Sequence, residues 1–306
     1  MKREPKRREP KPILQVALLQ TNPVWGEAGV NCAAAARWLR SLTAGKSADG
    51  RPDLVVLPEM FATGFALPPQ QALRSSEAVL SAMRAMAAES GAVVAGTAAT
   101  RDGAGRAVNR LWWVRPDGSA TFYDKRHLFG LGDEKRDYAP GAPHEPVELA
   151  GWRVLPNICY DLRFPDYCRN RLVRPAPDVS EVSTTSAAPP DSAAPVSRIA
   201  AVPDARDYAY DLALFPASWP TARIAHWELL LQARAVENMA YTVGVNRVGE
   251  DANGLAHGGR SMAVSPKGRV LWRGGDRTED AVCVALDWEA LALYRQRFPV
   301  AADWPA

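Results

Sequence analysis

Short apolar runs alternate with helix-patterned stretches along the first half of this chain, and that alternation restricts it to a layered α/β architecture. ILQVALLQT reads as a buried strand, and AGVNCAAAARWLRSLTAG as an Ala-rich helix closed by Gly45. DLVVLPE is a second buried strand, broken by Pro58. Residues 71–90 are helical in pattern, and GAVVAGTAAT is the next strand. RAVNRLWWVRPDGSATFYDK predicts two strands joined at Pro116-Asp117-Gly118. WRVLPNICYD and LALFPASWP are further strands, with a long helix expected over about 223–240. YTVGVNRV, GRSMAVSP, GRVLWRG and AVCVALD complete the strands, before a short helix and an aromatic-rich tail. The hairpin-like pairs late in the chain argue for mixed rather than purely parallel sheets.

Two segments stand outside this pattern. The first dozen residues, MKREPKRREPKP, hold six Lys or Arg against two Glu, with three prolines and no aromatic residue. Such a run has too little apolar area to fold, so residues 1–12 are expected to be a disordered basic leader. A nucleic-acid arm is the competing reading, and it predicts a salt-sensitive shift on DNA that is lost on deleting residues 1–12. Residues 171–207 carry six prolines, many Ser, Thr and Ala, and no aromatic residue. They are expected to be a flexible insertion in a domain spanning 13–299, with a lid over the site as the alternative and 300–306 as a tail.

The remaining composition narrows the function classes. A net charge of +3 over 306 residues is too small to imply a nucleic-acid or membrane partner. No stretch approaches the roughly 18 apolar residues needed to cross a bilayer. The four cysteines form no CxxC pair, so neither a zinc knuckle nor a disulfide framework is supported, and a reducing, cytoplasmic setting is expected.

Three strands run into reactive groups. DLVVL leads through PEMFATGF to Glu59, ATFYDKRHLF delivers Lys125, and WRVLPNI delivers Cys159, followed by Tyr160 and Asp161. Strand ends are where sites collect in layered α/β proteins. A free thiol with a pKa near 8.5 is only a few per cent thiolate at neutral pH, so it needs a base. A carboxylate can serve, and a lysine ammonium can meet the oxyanion formed when sulfur attacks a carbonyl, a contribution on the order of 3 kcal/mol. The backbone N–H of Tyr160 is a second candidate donor. Each residue alone has a plainer reading: a cysteine at a strand end is commonly a small buried apolar group, as Cys32, Cys168 and Cys283 are expected to be. None of the four histidines lies in an obvious catalytic pattern.

LPEMFATGF, YDKRHLF and ICYDLRFP, in that order, resemble the nitrilase or carbon–nitrogen hydrolase superfamily. The resemblance extends through DLALFPASWP, HWELLLQARAVENMAYTVGVNRVG and GRSMAVSPKGRVL, from about Ile13 to Pro299 apart from the insertion. It implies an αββα sandwich and a catalytic Glu59–Lys125–Cys159 set, with Glu134 in GLGDEKRDYAPG as a second glutamate that positions Lys125. It implies a thioester on Cys159, no metal and no cofactor, and a homodimer built on the helix of HWELLLQARAVEN and the helix after the cysteine.

Within the superfamily, PEMFATGF, DKRHLF, CYDLRFP and VNRVG are most similar to the ω-amidase branch, which hydrolyses 2-oxoglutaramate and 2-oxosuccinamate. A substrate carrying a carboxylate calls for a further cation. Arg163 is the first candidate, with a purely structural pairing equally open to it, and Arg260 is the second. Phe61, Tyr160 and Trp219 are candidate pocket walls. An N-carbamoyl or aliphatic amide hydrolase with the same residues is the alternative enzyme. A non-catalytic scaffold would have no need of the four reactive residues together.

Overall fold

The computed structural model describes residues 8–65, 68–173 and 203–304. In chain order its principal elements are β1 (Ile13–Gln20), α1 (Ala28–Thr43), β2 (Leu54–Val56), α2 (Gln70–Arg74), α3 (Ser76–Ser90), β3 (Val93–Arg101), β4 (Ala107–Val114) and β5 (Ala120–Asp124). There follow α4 (Glu134–Asp137), β6 (Val147–Leu149), β7 (Trp152–Pro156), β8 (Leu212–Ala217), α5 (Ile224–Glu237) and β9 (Tyr241–Asn246). The last are β10 (Val248–Glu250), β11 (Ala256–Gly258), β12 (Met262–Val264), β13 (Val270–Arg273), β14 (Asp280–Asp287) and α6 (Trp288–Arg297).

Two six-stranded sheets result, ordered β14-β1-β2-β3-β4-β5 and β13-β12-β9-β8-β7-β6. Each has a parallel centre (β1-β2-β3 in one, β7-β8-β9 in the other) flanked by antiparallel strands. Parallel neighbours need a crossover, supplied by α1 between β1 and β2, by α2 and α3 between β2 and β3, and by α5 between β8 and β9.

Strand periodicity decides which residues meet. In β1, Leu14, Val16 and Leu18 face the other sheet, packing with Trp152, Val154, Leu212, Leu214 and Val243. The intervening Ala17 and Leu19 face outward onto Cys32, Ala35 and Leu39 of α1 and Val79, Met83 and Met86 of α3. On the far side, Trp227, Leu231 and Ala235 of α5 cover Ala213 and Phe215 of β8. Both faces of both sheets are therefore apolar, and the layers stack helix–sheet–sheet–helix, the αββα sandwich implied by the sequence.

The leader is more ordered at its end than its composition suggests. Lys11 pairs with Asp53 at 2.8 Å, its carbonyl accepts from Trp152 Nε1, and its N–H donates to Ala150 O. Gly151, at φ 81°, lets the backbone of Glu9 and Pro10 approach where any Cβ would collide. Residues 1–7 lie outside the described residues, as does the larger part of the Pro/Ser-rich segment, so its expected flexibility falls outside them too. The described flanks of that segment meet: Leu172 bridges Tyr208, and Val173 N–H donates to Asp207 O. The tail also packs, with Ala301 buried and Trp304 edge-on to Tyr208.

Candidate active site

Four strand ends converge at one end of the sandwich. Glu59 follows β2, Lys125 follows β5, Cys159 follows β7 and Ser218 follows β8, so each sheet contributes two. A direct bond joins the sheets there, from Glu59 N–H to Ala217 O.

Lys125 Nζ lies 2.8 Å from Glu59 Oε1 and 3.0 Å from both Glu134 oxygens, donating to Oε2. All three side chains are almost wholly buried. Glu59 is held further by Asn109 Nδ2 at 2.7 Å and by the Ser218 N–H at 2.9 Å. Glu134, at the start of α4, also accepts from Phe129 N–H. Burial pushes the Lys125 ammonium down, but Glu134 and Glu59 outweigh it and hold its pKa well above the ordinary value. Glu134 is pushed up by burial, against the pull of Lys125 and with help from Glu59.

Cys159 opens a short 3₁₀ turn, Cys159–Arg163, at φ 43°. A non-glycine residue in that region is strained by about 1–3 kcal/mol and persists only where its surroundings enforce it. Asp161 does the enforcing. Its buried carboxylate accepts from Ile158 N–H (2.9 Å), Tyr123 Oη (2.8 Å) and His127 N–H (3.1 Å), and lies 2.8 Å from His127 Nδ1. The Cys159 thiol is raised well above its ordinary pKa, first by burial and then by the Glu59 charge, while Lys125 and the Ser218 N–H pull the other way. At rest it is a thiol close enough to a carboxylate and an ammonium to feel both.

These groups open onto a cavity of about 190 Å³. That is smaller than the roughly 300–1,000 Å³ typical of drug-sized ligands and suits a short acyl amide. Its apolar wall comprises Phe65, Phe129, Tyr160, Trp219, Pro220 and Leu255. Arg163 also lines it, with its guanidinium 4.8 Å from the Trp219 ring and Nη2 3.0 Å from His226 Nδ1. No carboxylate pairs with Arg163 among the described residues, and the neighbouring Asp161 is engaged by His127.

Two expected pocket residues do not line it. Phe61 packs between the first sheet and its helices, against Leu57 and Gly96, because the positive φ of Met60 (51°) turns the chain inward and leaves Phe65 to face the cavity. Arg260 is engaged outside, by Asp276 at 2.6 Å and Glu228 at 2.9 Å. Conversely, Asn109, Ser218, Arg223 and His257 belong to the site without having been foreseen. Ser218 could have been found as the residue following the β8 run; Asn109 only through the β4–β5 register, which sets its carbonyl against the Lys125 N–H.

The carbon–nitrogen hydrolase family model matches residues 15–179 and 208–296. The chain belongs to the carbon–nitrogen hydrolase family. Omega-amidase YafV of Escherichia coli is 37% identical over 292 residues, covering 95% of this hydrolase and 97% of the relative. The 2-oxoglutaramate amidase of Bacillus subtilis is 29% identical over 82% of this chain and 84% of its own. A superfamily protein from Xanthomonas campestris, solved with an arsenic adduct in its active site, superimposes with TM-score 0.80 at 33% identity, covering 96% of this chain and 98% of that one. The hydrolase thus acts on carbon–nitrogen bonds other than peptide bonds.

Proposed function

We propose that this protein is an ω-amidase, hydrolysing the terminal amide of a short dicarboxylic acid monoamide of the 2-oxoglutaramate or 2-oxosuccinamate type. The observation that carries the reading is the buried Glu59–Lys125–Glu134 cluster opening onto the same small cavity as the Cys159 thiol. The names of the E. coli and B. subtilis relatives support the substrate class.

In this reading Glu59 takes the Cys159 proton as sulfur attacks the amide carbon. The developing oxyanion is met by the Lys125 ammonium and the Tyr160 N–H; each such donor contributes on the order of 3 kcal/mol in the transition state. Because the resting thiol is disfavoured as thiolate, base and nucleophile must act together rather than in sequence. Glu59 then delivers its proton to the leaving nitrogen, ammonia departs, and a thioester remains on Cys159. Water, deprotonated by Glu59, attacks the thioester; the acid is released and the thiol regains its proton. Glu134 keeps the Lys125 ammonium charged and aimed.

We further infer a homodimer through the outer face of α5, where Leu229 and Val236 stand exposed, and a cytoplasmic setting in which the cysteines, free in this structure, stay reduced. No described helix is long and apolar enough to cross a membrane. The dimer is checked by light scattering on wild type and Leu229→Glu, where a halved mass is the expected result.

The deciding experiment is early-quench mass spectrometry with 2-oxoglutaramate, glutamine, an N-carbamoyl amino acid and a simple nitrile. A thioester-sized adduct on Cys159 with 2-oxoglutaramate, absent from Cys159→Ala, is expected. An adduct formed faster with the N-carbamoyl compound would replace the ω-amide reading with the carbamoyl one.

A further inference from the structure

The charges lining the cavity cancel in sum, three acids against three cations, but they are not paired one to one. Glu59 and Glu134 share Lys125, and the Asp251 carboxylate accepts the N–H groups of Asn253 and Leu255 in its own turn. Two guanidinium groups remain, and they differ. Arg163 is already held, by His226 and by the face of Trp219. Arg223 is not. It ends the Thr221–Arg223 turn that leads into α5, and its guanidinium carbon lies 5.4 Å from the Phe129 ring. Among the described residues its side chain meets neither a carboxylate nor any hydrogen-bond acceptor.

Its main chain, by contrast, is fixed: the Arg223 carbonyl accepts from Trp219 Nε1 at 2.8 Å. Trp219 therefore ties the two arginines to one wall, with Arg163 over its ring and Arg223 on its indole N–H. Arg247, just after β9, leaves its buried Nη1 without an acceptor but does not line the cavity, and two further arginines at this end are paired. Arg260 has Glu228 and Asp276, and Arg273 has Glu228. A half-buried guanidinium with five donors and no acceptor, on an apolar wall, is arranged for an anion that arrives with the substrate.

We propose that Arg223 is the anchor for the substrate carboxylate remote from the scissile amide, with Arg163 as a flanking, pre-positioned cation. The inference rests on amide hydrolysis at Cys159 and adds the residue that makes an anionic amide the preferred substrate. The planar fork of Arg223 can meet both carboxylate oxygens at once, whereas Arg163 has one edge already committed to His226.

The test compares wild type with Arg223→Gln, Arg223→Lys and Arg163→Gln. Steady-state kinetics are measured on 2-oxoglutaramate, on succinamate and on the neutral amide butyramide. Arg223→Gln should raise KM for the two anionic amides so that their kcat/KM falls roughly tenfold to a hundredfold further than that of butyramide. Arg223→Lys should recover part of that gap, and Arg163→Gln should open a smaller one. Equal losses on charged and neutral amides in Arg223→Gln would overturn the proposal, as would a larger gap in Arg163→Gln. A second arm titrates 2-oxoglutarate into Cys159→Ala with and without Arg223→Gln by calorimetry. Binding weakened by the second substitution supports the anchor even if no thioester forms from 2-oxoglutaramate, so failure of the ω-amide reading is told apart from failure of the anchor. Unchanged binding overturns it.

Discussion

A buried lysine between two buried carboxylates, proposed above to meet the oxyanion, is also a structural hazard. Removing Lys125 leaves Glu59 and Glu134 facing each other, and breaking a buried pair from one side costs about 3–5 kcal/mol. Lys125→Gln should therefore lose hydrolysis and also melt well below wild type by calorimetry. Adding Glu134→Gln should return much of the stability and none of the activity. Asp161 gives a second residue-level expectation. Asparagine offers one acceptor where the carboxylate serves the Ile158 N–H, Tyr123 and His127, so Asp161→Asn should relax the strained Cys159 turn. A misplacement of about 1 Å can cost on the order of a hundredfold in rate, so kcat should fall by about that factor with KM changed much less, which steady-state kinetics would read. At this scale legibility divides cleanly. That Glu59, Lys125 and Cys159 would come together could be read because each follows a strand. Phe65 could not be preferred over Phe61, nor Arg260 dismissed, because backbone turns at Met60 and Arg260 (φ 51° and 52°) set those directions.

Elements were legible where one period governed them. Both apolar faces of β1, β2 and β8 announce strands covered on two sides, and the Pro116-Asp117-Gly118 turn sits where β4 and β5 join. What resisted reading were the short pieces held by distant partners: β6, the β10–β11 pair and the packed tail. The tail depends on α6, whose Arg295 is wholly buried. It pairs with Asp211 at 2.8 Å and donates to the carbonyls of Met239, Ala205 and Tyr210. Nothing local to α6 in the sequence marks that arginine as internal. Arg295→Met should destabilise by about 3–5 kcal/mol, since Asp211 and three carbonyls lose a partner together. Urea unfolding would measure it; a loss under about 1 kcal/mol would mean that this clamp matters little.

Across the whole molecule, a half-buried histidine, His144, and a buried one, His257, tie stability to pH. Burial pulls His144 and His257 down to about 4. Well above the ordinary value of about 6.5, neither the folded nor the unfolded chain protonates them. Below the ordinary value of about 6.5 the unfolded chain takes up protons that the folded one refuses, so stability falls as pH drops from about 6.5 to 4. The loss reaches roughly 3 kcal/mol per histidine at the lower end. Urea titrations at several pH values should show this slope, and His144→Gln should shallow it. The bond from Glu59 N–H to Ala217 O carries a different consequence. It stitches Glu59, the proposed base, which belongs to one leaf of the sandwich, to the rim of the other. Turnover then becomes a gauge of lamination: any wedge that parts the leaves should silence the enzyme while each leaf still keeps its own strands.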